Sequence, residues 1–192
     1  MCKSLAACAL GTVLASSAPA GPVLHSSAPL EMTASPASGY LGRLAPATPV
    51  TVIEKKGDKV KVRVSGRALK DYPSQIFRDA GLRIQYAAFD EDGAVKLSGA
   101  EKSVQGNAWQ AASAEGWVPP AGLTQDLDGL WKKAEVRHAD ACSTCHGAPK
   151  ASAHTANEWA GQLPKRGGRT GHSSAGANEQ MFKWMQAHAK PM

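Results

Sequence analysis

Cysteine and aromatic residues are scarce in this sequence, and the placement of the cysteines narrows its chemistry. The 192 residues include four cysteines, five tryptophans, three tyrosines and three phenylalanines. Cys2 and Cys8 lie in the N-terminal segment, whereas Cys142 and Cys145 are separated by only two residues. If the N-terminal segment is removed on export, this close pair is all that remains. Such a pair predicts a redox dithiol, half of a metal site or the attachment site of a haem.

The N-terminal segment lacks an apolar run of membrane-spanning length, since Leu5–Ala15 is too short to cross a bilayer as a stable helix. The tripeptide Ala18-Pro19-Ala20 after this run fits the cleavage site of a signal peptide. We therefore expect residues 1–20 to be removed, and the mature protein to reside in a bacterial periplasm without a transmembrane span. Leu5-Ala6-Ala7-Cys8 resembles a lipoprotein box, but a lipid anchor is the less favoured alternative because few residues precede Cys8.

Charge of one sign is not concentrated anywhere in the chain. The formal net charge is +6, and removal of residues 1–20, which carry only Lys3, leaves 21 basic against 16 acidic residues, a charge of +5. Lysine and arginine are spread along the sequence, which is typical of a solvated and mildly basic surface. We therefore expect no binding to nucleic acid.

Residues 48–120 carry the pattern of short strands. The run 49–54 is rich in β-branched residues, a Lys-Lys-Gly-Asp turn cluster follows it, and Lys59–Val64 alternates charged residues with valine. This alternation predicts a hairpin whose valines line one buried face. Further strand-like runs separated by turn signals continue to Pro119-Pro120, so the whole segment predicts a small β-barrel.

A helical pattern follows, which makes the predicted fold class α+β. Apolar residues recur at helical spacing after Asp126 and Asp128, either of which can cap the first helix. Thr155-Ala156-Asn157-Glu158 has the form of a capping box, which predicts a second helix that ends at Pro164. A last helix is expected over residues 177–189.

These patterns divide the chain into four parts. We expect Trp131 and Trp184 to be buried between the first and last helices, and His138 to lie on the surface of the first helix. The predicted parts are a signal peptide over 1–20, a flexible lead-in over 21–47 that has no helical or strand period, a β-barrel over 48–120 and a helical domain over 124–192.

Cys142-Ser143-Thr144-Cys145-His146 has the C-x-x-C-H form. The two thiols of such a motif add to the two vinyl groups of haem, and the adjoining histidine becomes the proximal ligand of the iron. The motif therefore predicts one covalent haem c, held by Cys142 and Cys145 and ligated by His146. A thioredoxin-like dithiol would need a βαβ context that the sequence does not have. A zinc site would need two more ligands, which His154 and His172 can supply, so zinc stays an alternative.

The sixth ligand of the iron has no motif of its own, and methionine or histidine usually provides it. His172 lies in a glycine-rich loop over 164–176, from which it can approach the iron, and it is the ligand that we favour. An exposed loop histidine is the alternative interpretation of His172. The competing candidates are His154, which follows the motif closely, and Met181 and Met185, which lie on the apolar stripe of the last helix. His188 lies on the same stripe but near the end of the chain. A methionine at helical spacing is more often a core residue than a ligand.

Several short motifs occur in a fixed order along the chain, namely Ala47-Thr48-Pro49-Val50-Thr51-Val52, Lys59-Val60-Lys61-Val62, Glu115-Gly116-Trp117-Val118, Leu130-Trp131, the haem motif and Ala156-Asn157-x-Trp159-x-Gly161-x-Leu163. This order resembles the C-terminal portion of the TorC/DorC-type multihaem cytochromes over roughly residues 40–190. The resemblance implies an SH3-like barrel followed by a class I-like cytochrome c domain. It also implies electron donation to periplasmic molybdenum reductases of S- and N-oxides.

The chain departs from this family pattern in two ways. The family's membrane helix and four-haem module are absent from the sequence, so direct oxidation of quinol is not expected. Pro164-Lys165-Arg166 stands where the family pattern has a methionine, which is a further reason to favour His172.

We therefore expect a monohaem electron-transfer protein rather than an enzyme. Its partner would be an upstream multihaem cytochrome or a terminal molybdoenzyme. The alternative is a haem-based redox or gas sensor, or a partner-binding module, which would require a weak or open sixth position on the iron. A peroxidase would need an acid–base residue above the iron, and the sequence marks none.

Overall fold

The computed structural model describes residues 22–37, 39–91, 93–143, 147–166 and 175–192, and it has a mixed α+β fold. Within these residues the strands are β1 (Val23–Ser26), β2 (Leu30–Thr33), β3 (Tyr40–Leu44), β4 (Pro49–Lys56), β5 (Lys59–Leu69), β6 (Gln75–Phe77), β7 (Gln85–Phe89), β8 (Lys96–Val104), β9 (Asn107–Val118) and β10 (Leu123–Thr124). The helices are α1 (Leu127–Cys142), α2 (Ala156–Arg166) and α3 (Ala175–Ala187).

The β4–β5 hairpin forms as the alternating sequence predicts. Val50 pairs with Val64 and Lys56 with Lys59 across the hairpin, with a turn at Gly57 whose φ is +59°. Val62 and Val64 are fully buried, whereas Arg63 between them is exposed. The period of two in the sequence therefore matches one buried and one solvated face of the strand.

The sheet closes into a six-stranded barrel because β5 pairs with β9 as well as with β4 and β6. The closed ring runs β5–β6–β7–β3–β2–β9 and back to β5, and the other strands extend it at the margins. Closure requires close approach of neighbouring backbones at two glycines. A Cβ at Gly66 would lie 2.2 Å from the carbonyl oxygen of Phe77, and one at Gly42 would lie 2.4 Å from that of Ala88.

The structure corrects the expectation that residues 21–47 form a flexible lead-in. Strands β1, β2 and β3 all fall in this segment, and Met32 and Leu44 are completely buried in the barrel core. These strands pair with distant partners, such as Thr33 with Trp117 and Leu44 with Ala87. Because the stabilising contacts are non-local, the short runs of Ser, Pro and Gly around them hide any local period.

Side-chain caps begin the first two helices at the predicted residues. The Asp126 carboxylate accepts a hydrogen bond from the Gly129 N–H at 2.8 Å, which confirms Asp126 as the N-cap of α1. The Thr155 N–H donates to Glu158 Oε2 at 2.7 Å, and the Glu158 N–H donates to Thr155 Oγ1 at 3.3 Å. These two reciprocal bonds form the predicted capping box before α2.

Helix α2 does not end at Pro164, as the sequence led us to expect, but continues to Arg166. A proline beyond the first turn removes one hydrogen bond and crowds the carbonyl four residues earlier, which kinks a helix or breaks it. Only two residues of α2 follow Pro164, so little of the helix depends on the lost bond. Helix α3 begins at Ala175, two residues before the predicted start. No helix in the described part of the chain is long and apolar enough to cross a membrane.

Candidate functional site

Cys142 is the last residue of α1 and is half-buried. On a helix, residues four apart lie on the same face, so Cys142 follows the buried residues Leu130, Ala134 and His138 along one side of α1. The other two residues of the haem motif with proposed roles, Cys145 and His146, lie outside the described residues. The first cysteine of the motif therefore lies at the C-terminal end of α1, on the helix face that packs into the protein.

Helices α1, α2 and α3 share an aromatic core. Trp159 of α2 is completely buried, and its indole N–H donates to the Ala151 carbonyl oxygen at 2.7 Å. Trp184 of α3 is 9% exposed, as predicted, and it packs in the same cluster as Met185. Trp131 of α1 packs against this cluster but is only partly buried, so the prediction that both rings are enclosed holds fully for Trp184 alone.

His138 is the site residue whose environment the sequence analysis misjudged. Its side chain is not on the helix surface but buried, with 4% of the residue exposed. The ring lies 5.3 Å from the Trp184 ring, and Nε2 is 2.8 Å from the carbonyl oxygen of Pro149. The spacing of four residues from Ala134 and to Cys142, both on the inner face of α1, was the signal in the sequence that could have revealed its burial.

Three of the candidate distal ligands have packing partners in the structure. Met181 and Met185 are buried, with 4% and 1% exposed, and they lie on the inner face of α3. The His154 ring makes an edge contact with the Trp159 ring at 4.5 Å, and its Nδ1 lies 3.8 Å from Glu158 Oε2. The favoured candidate, His172, lies outside the described residues and stays a prediction.

A metal-binding cluster was the alternative interpretation of the cysteines and histidines. Among the described residues, no three side chains of His, Cys, Asp or Glu come together in a way that could hold a metal ion. The zinc alternative included Cys145 and His172, which are outside that set, so it is neither supported nor refuted by the geometry.

The helices dock on one edge of the barrel, at the segment between Gly81 and Tyr86. The Asn157 side chain of α2 accepts from the Arg83 N–H and donates to the Gly81 carbonyl oxygen, both at 2.7 Å. The Gln186 amide of α3 donates to the Arg83 carbonyl oxygen at 2.8 Å. Side chains from two helices therefore satisfy backbone groups that a barrel edge would otherwise present to water.

Two charged residues of α3 complete this contact. Glu179 accepts both of its hydrogen bonds from the Arg43 guanidinium of β3 at 2.6 Å. The Lys183 amine is buried, donates to the Gln85 carbonyl oxygen and lies 4.7 Å from the centre of the Tyr86 ring. Burial and, to a smaller extent, the nearby Arg78 charge together lower the pKa of Lys183 to about 7. Lys183 thus ties the last helix to the barrel through a desolvated amine.

A family model described as the TorC third cytochrome c domain matches residues 19–123, which is more than half of the chain. The matched stretch covers strands β1 to β9 and ends at Leu123, the first residue of β10, before α1 begins. It contains no cysteine, so the match rests on the barrel and not on the haem motif.

Curated relatives extend the likeness beyond the barrel. The cytochrome c-type protein TorC of Escherichia coli strain K12 is 27% identical over 161 residues, which cover 77% of this chain and 39% of the relative. The cytochrome c-type protein TorY of Escherichia coli O157:H7 is 29% identical over 138 residues, 70% of this chain and 37% of the relative. TorY of Haemophilus influenzae is 27% identical over 131 residues, 67% and 36% of the two chains. The chain thus spans about two fifths of the length of these relatives, and no solved structure matches it significantly.

Proposed function

Since the chain belongs to the family of TorC third cytochrome c domains, we propose that it is a periplasmic monohaem c-type cytochrome that carries electrons to or from a partner oxidoreductase. The observation that carries the proposal is a C-x-x-C-H motif that begins at the end of a helix with one buried face, in a protein of a c-type cytochrome family. The partner that we propose is a molybdoenzyme that reduces S- or N-oxides, as the resemblance to TorC/DorC-type cytochromes implies.

The described residues fit a covalently bound haem. The Cys142 thiol is half-buried at the end of α1, on the helix face that packs into the protein, so a macrocycle attached there would lie against the protein and not in open water. In this proposal Cys142 and Cys145 hold the haem through thioether bonds and His146 ligates the iron. The bound haem would supply reversible one-electron chemistry, while the protein chain would bind it and limit its contact with water.

The distal ligand that we propose is His172. Support comes from the other candidates, because Met181, Met185 and His154 are already engaged in packing or aromatic contacts. The low-temperature magnetic spectrum of the oxidised protein tests the assignment. We expect the ligand field of wild type to be lost in His172→Ala and retained in Met181→Leu. An unchanged spectrum in His172→Ala would remove His172 from the iron.

In this proposal the β-barrel is an SH3-like brace for the haem domain rather than a free binding module. Its edge between Gly81 and Tyr86 is covered by α2 and α3 through hydrogen bonds from Asn157, Lys183 and Gln186. We propose that the barrel, which the sequence predicted over residues 48–120, also includes strands β1–β3 on its N-terminal side. The proposed haem domain covers residues 124–192. Residues 1–20 remain the proposed signal peptide.

Reoxidation of the reduced protein tests the function itself. The haem-loaded protein is reduced, separated from the reductant, and mixed with a purified molybdoenzyme of the S- or N-oxide reductase class. We expect rapid reoxidation only when both the reductase and its oxide substrate are present, with oxide alone as the control. A reduced protein that is not reoxidised, and that instead binds carbon monoxide rapidly and tightly, would contradict a carrier and favour a sensor.

A further inference from the structure

His138 makes a contact that the proposed function does not use. It lies one helical turn before Cys142, is almost completely buried, and places Nε2 2.8 Å from the carbonyl oxygen of Pro149. Pro149 follows the haem motif by three residues. The contact therefore joins the helix that leads into the motif with the chain that leaves it.

The chemistry of the two partners fixes the direction of this hydrogen bond. A carbonyl oxygen can only accept, so the hydrogen must be on Nε2 of His138. The other ring nitrogen, Nδ1, is buried and has no hydrogen-bond partner among the described residues. A hydrogen on Nδ1 would need a partner in that buried place, so both nitrogens favour the Nε2–H tautomer.

The ring is held in this orientation by the last helix. The Trp184 ring of α3 lies 5.3 Å from the His138 ring with an angle of 44° between the planes, and α1 and α3 are in contact. Since α3 is itself tied to the barrel by Lys183 and Gln186, the position of His138 is set by the whole fold and not by its own helix alone.

This inference rests on the proposed haem attachment. We propose that His138 is a positioning residue, whose hydrogen bond to Pro149 links the chain before the haem motif to the chain after it. The bond spans eleven residues of the chain and encloses both cysteines and the proximal histidine. Closing such a segment before the haem arrives reduces the conformational freedom that must be lost when two thiols react with one macrocycle. A polar residue at this core position is thereby explained, since its Nε2 bonds to the Pro149 carbonyl.

Two variants separate this role from simple core packing. His138→Gln keeps an N–H donor of similar reach, whereas His138→Phe keeps a buried aromatic ring but removes the donor. Leu130→Val, at a buried position three turns before Cys142 on α1, is the control for a loss of core stability without loss of the bond. All three are produced as full-length chains together with the haem attachment machinery.

The first measurement is the fraction of each purified chain that carries haem through two thioether bonds, determined by mass spectrometry of intact and digested protein. We expect His138→Phe to lose this doubly attached form several-fold, and its remaining haem to show a shifted midpoint potential or a heterogeneous low-spin spectrum. His138→Gln should restore most of the attachment. Leu130→Val should lower the unfolding temperature while it keeps attachment, potential and spectrum.

The second measurement does not depend on haem. A long-range proton–nitrogen NMR spectrum of the wild-type chain should show the Nε2–H tautomer for His138, and the Nδ1–H tautomer would overturn the proposal. Full attachment with an unchanged spectrum in His138→Phe would overturn it as well, while the proposed function would stand. A wild-type chain without covalent haem would overturn both.

Discussion

The buried amine of Lys183 makes the stability of the protein depend on pH in a predictable direction. Because burial lowers its pKa to about 7 in the folded state, whereas an unfolded lysine titrates near 10.4, the unfolded chain binds a proton between these values that the folded chain does not. The free energy of unfolding therefore rises with pH across that window, at up to about 1.4 kcal/mol per pH unit. Between pH 7 and pH 9 the expected gain is about 2 kcal/mol.

Lys183→Met isolates this contribution because methionine keeps the apolar stem and removes the titrating group. Urea unfolding followed by far-ultraviolet circular dichroism at pH 6, 7, 8 and 9 gives the free energy of unfolding for both proteins. Other titrating groups cancel in the difference, so the stability of wild type relative to the variant should rise by about 2 kcal/mol from pH 7 to pH 9. At pH 6 and below the difference should be constant, since the amine is then protonated in both states.

The contacts of Lys183 predict the direction of any departure from the expected pH dependence of stability. The hydrogen bond to the Gln85 carbonyl and the contact with the Tyr86 ring both favour the charged amine, so a smaller slope would measure how far they offset desolvation. Lys133→Met, at an exposed position on α1, is the matched control and should leave the pH profile unchanged. Parallel profiles for wild type and Lys183→Met would refute a desolvated amine at this contact.

Three further substitutions test the packing of the helices and the barrel, each by the change in the free energy of unfolding. Trp159→Phe should cost about 1–3 kcal/mol, since it removes the hydrogen bond to the Ala151 carbonyl, and Trp159→Ala should cost a further few kcal/mol through the cavity. An unaffected Trp159→Phe would show that the bond is unimportant, and equal losses in the two variants would show that the cavity is. Thr155→Ala should cost about 1 kcal/mol by removing one half of the capping box, and no change would contradict that cap. Gly66→Ala should cost about 1–3 kcal/mol because a Cβ would meet the Phe77 carbonyl at 2.2 Å, and an unaffected barrel would contradict the close approach of β5 and β6.

The sequence predicted the elements that local physics determines. The hairpin at Lys59–Val64 follows from strict alternation of charge and valine, and the caps at Asp126 and Thr155 follow from the hydrogen-bonding geometry of short polar side chains. In each of these cases the residues that stabilise the element are neighbours in the sequence, so the pattern can be recognised without knowledge of the fold.

The features that were missed depend on distant partners. Strand β3 is stabilised by pairing with β7, and the buried Lys183 amine contacts Gln85 and Tyr86 at the start of β7. His138 looked like a surface residue because it is polar, although its partners Pro149 and Trp184 come from segments that the helix meets only in three dimensions. Tertiary contacts override local polarity at such positions, and a single sequence does not encode them in a readable pattern.

The central claim is that one haem is attached covalently through Cys142 and Cys145. The most direct test is the intact mass of the protein after export in a host that attaches haem c, together with the pyridine haemochrome spectrum of the same sample. We predict a mass increase of one haem, a spectrum typical of two thioether bonds, and loss of both in the double variant Cys142→Ser and Cys145→Ser. A wild-type chain without covalent haem, or a double variant that still carries it, would contradict the account.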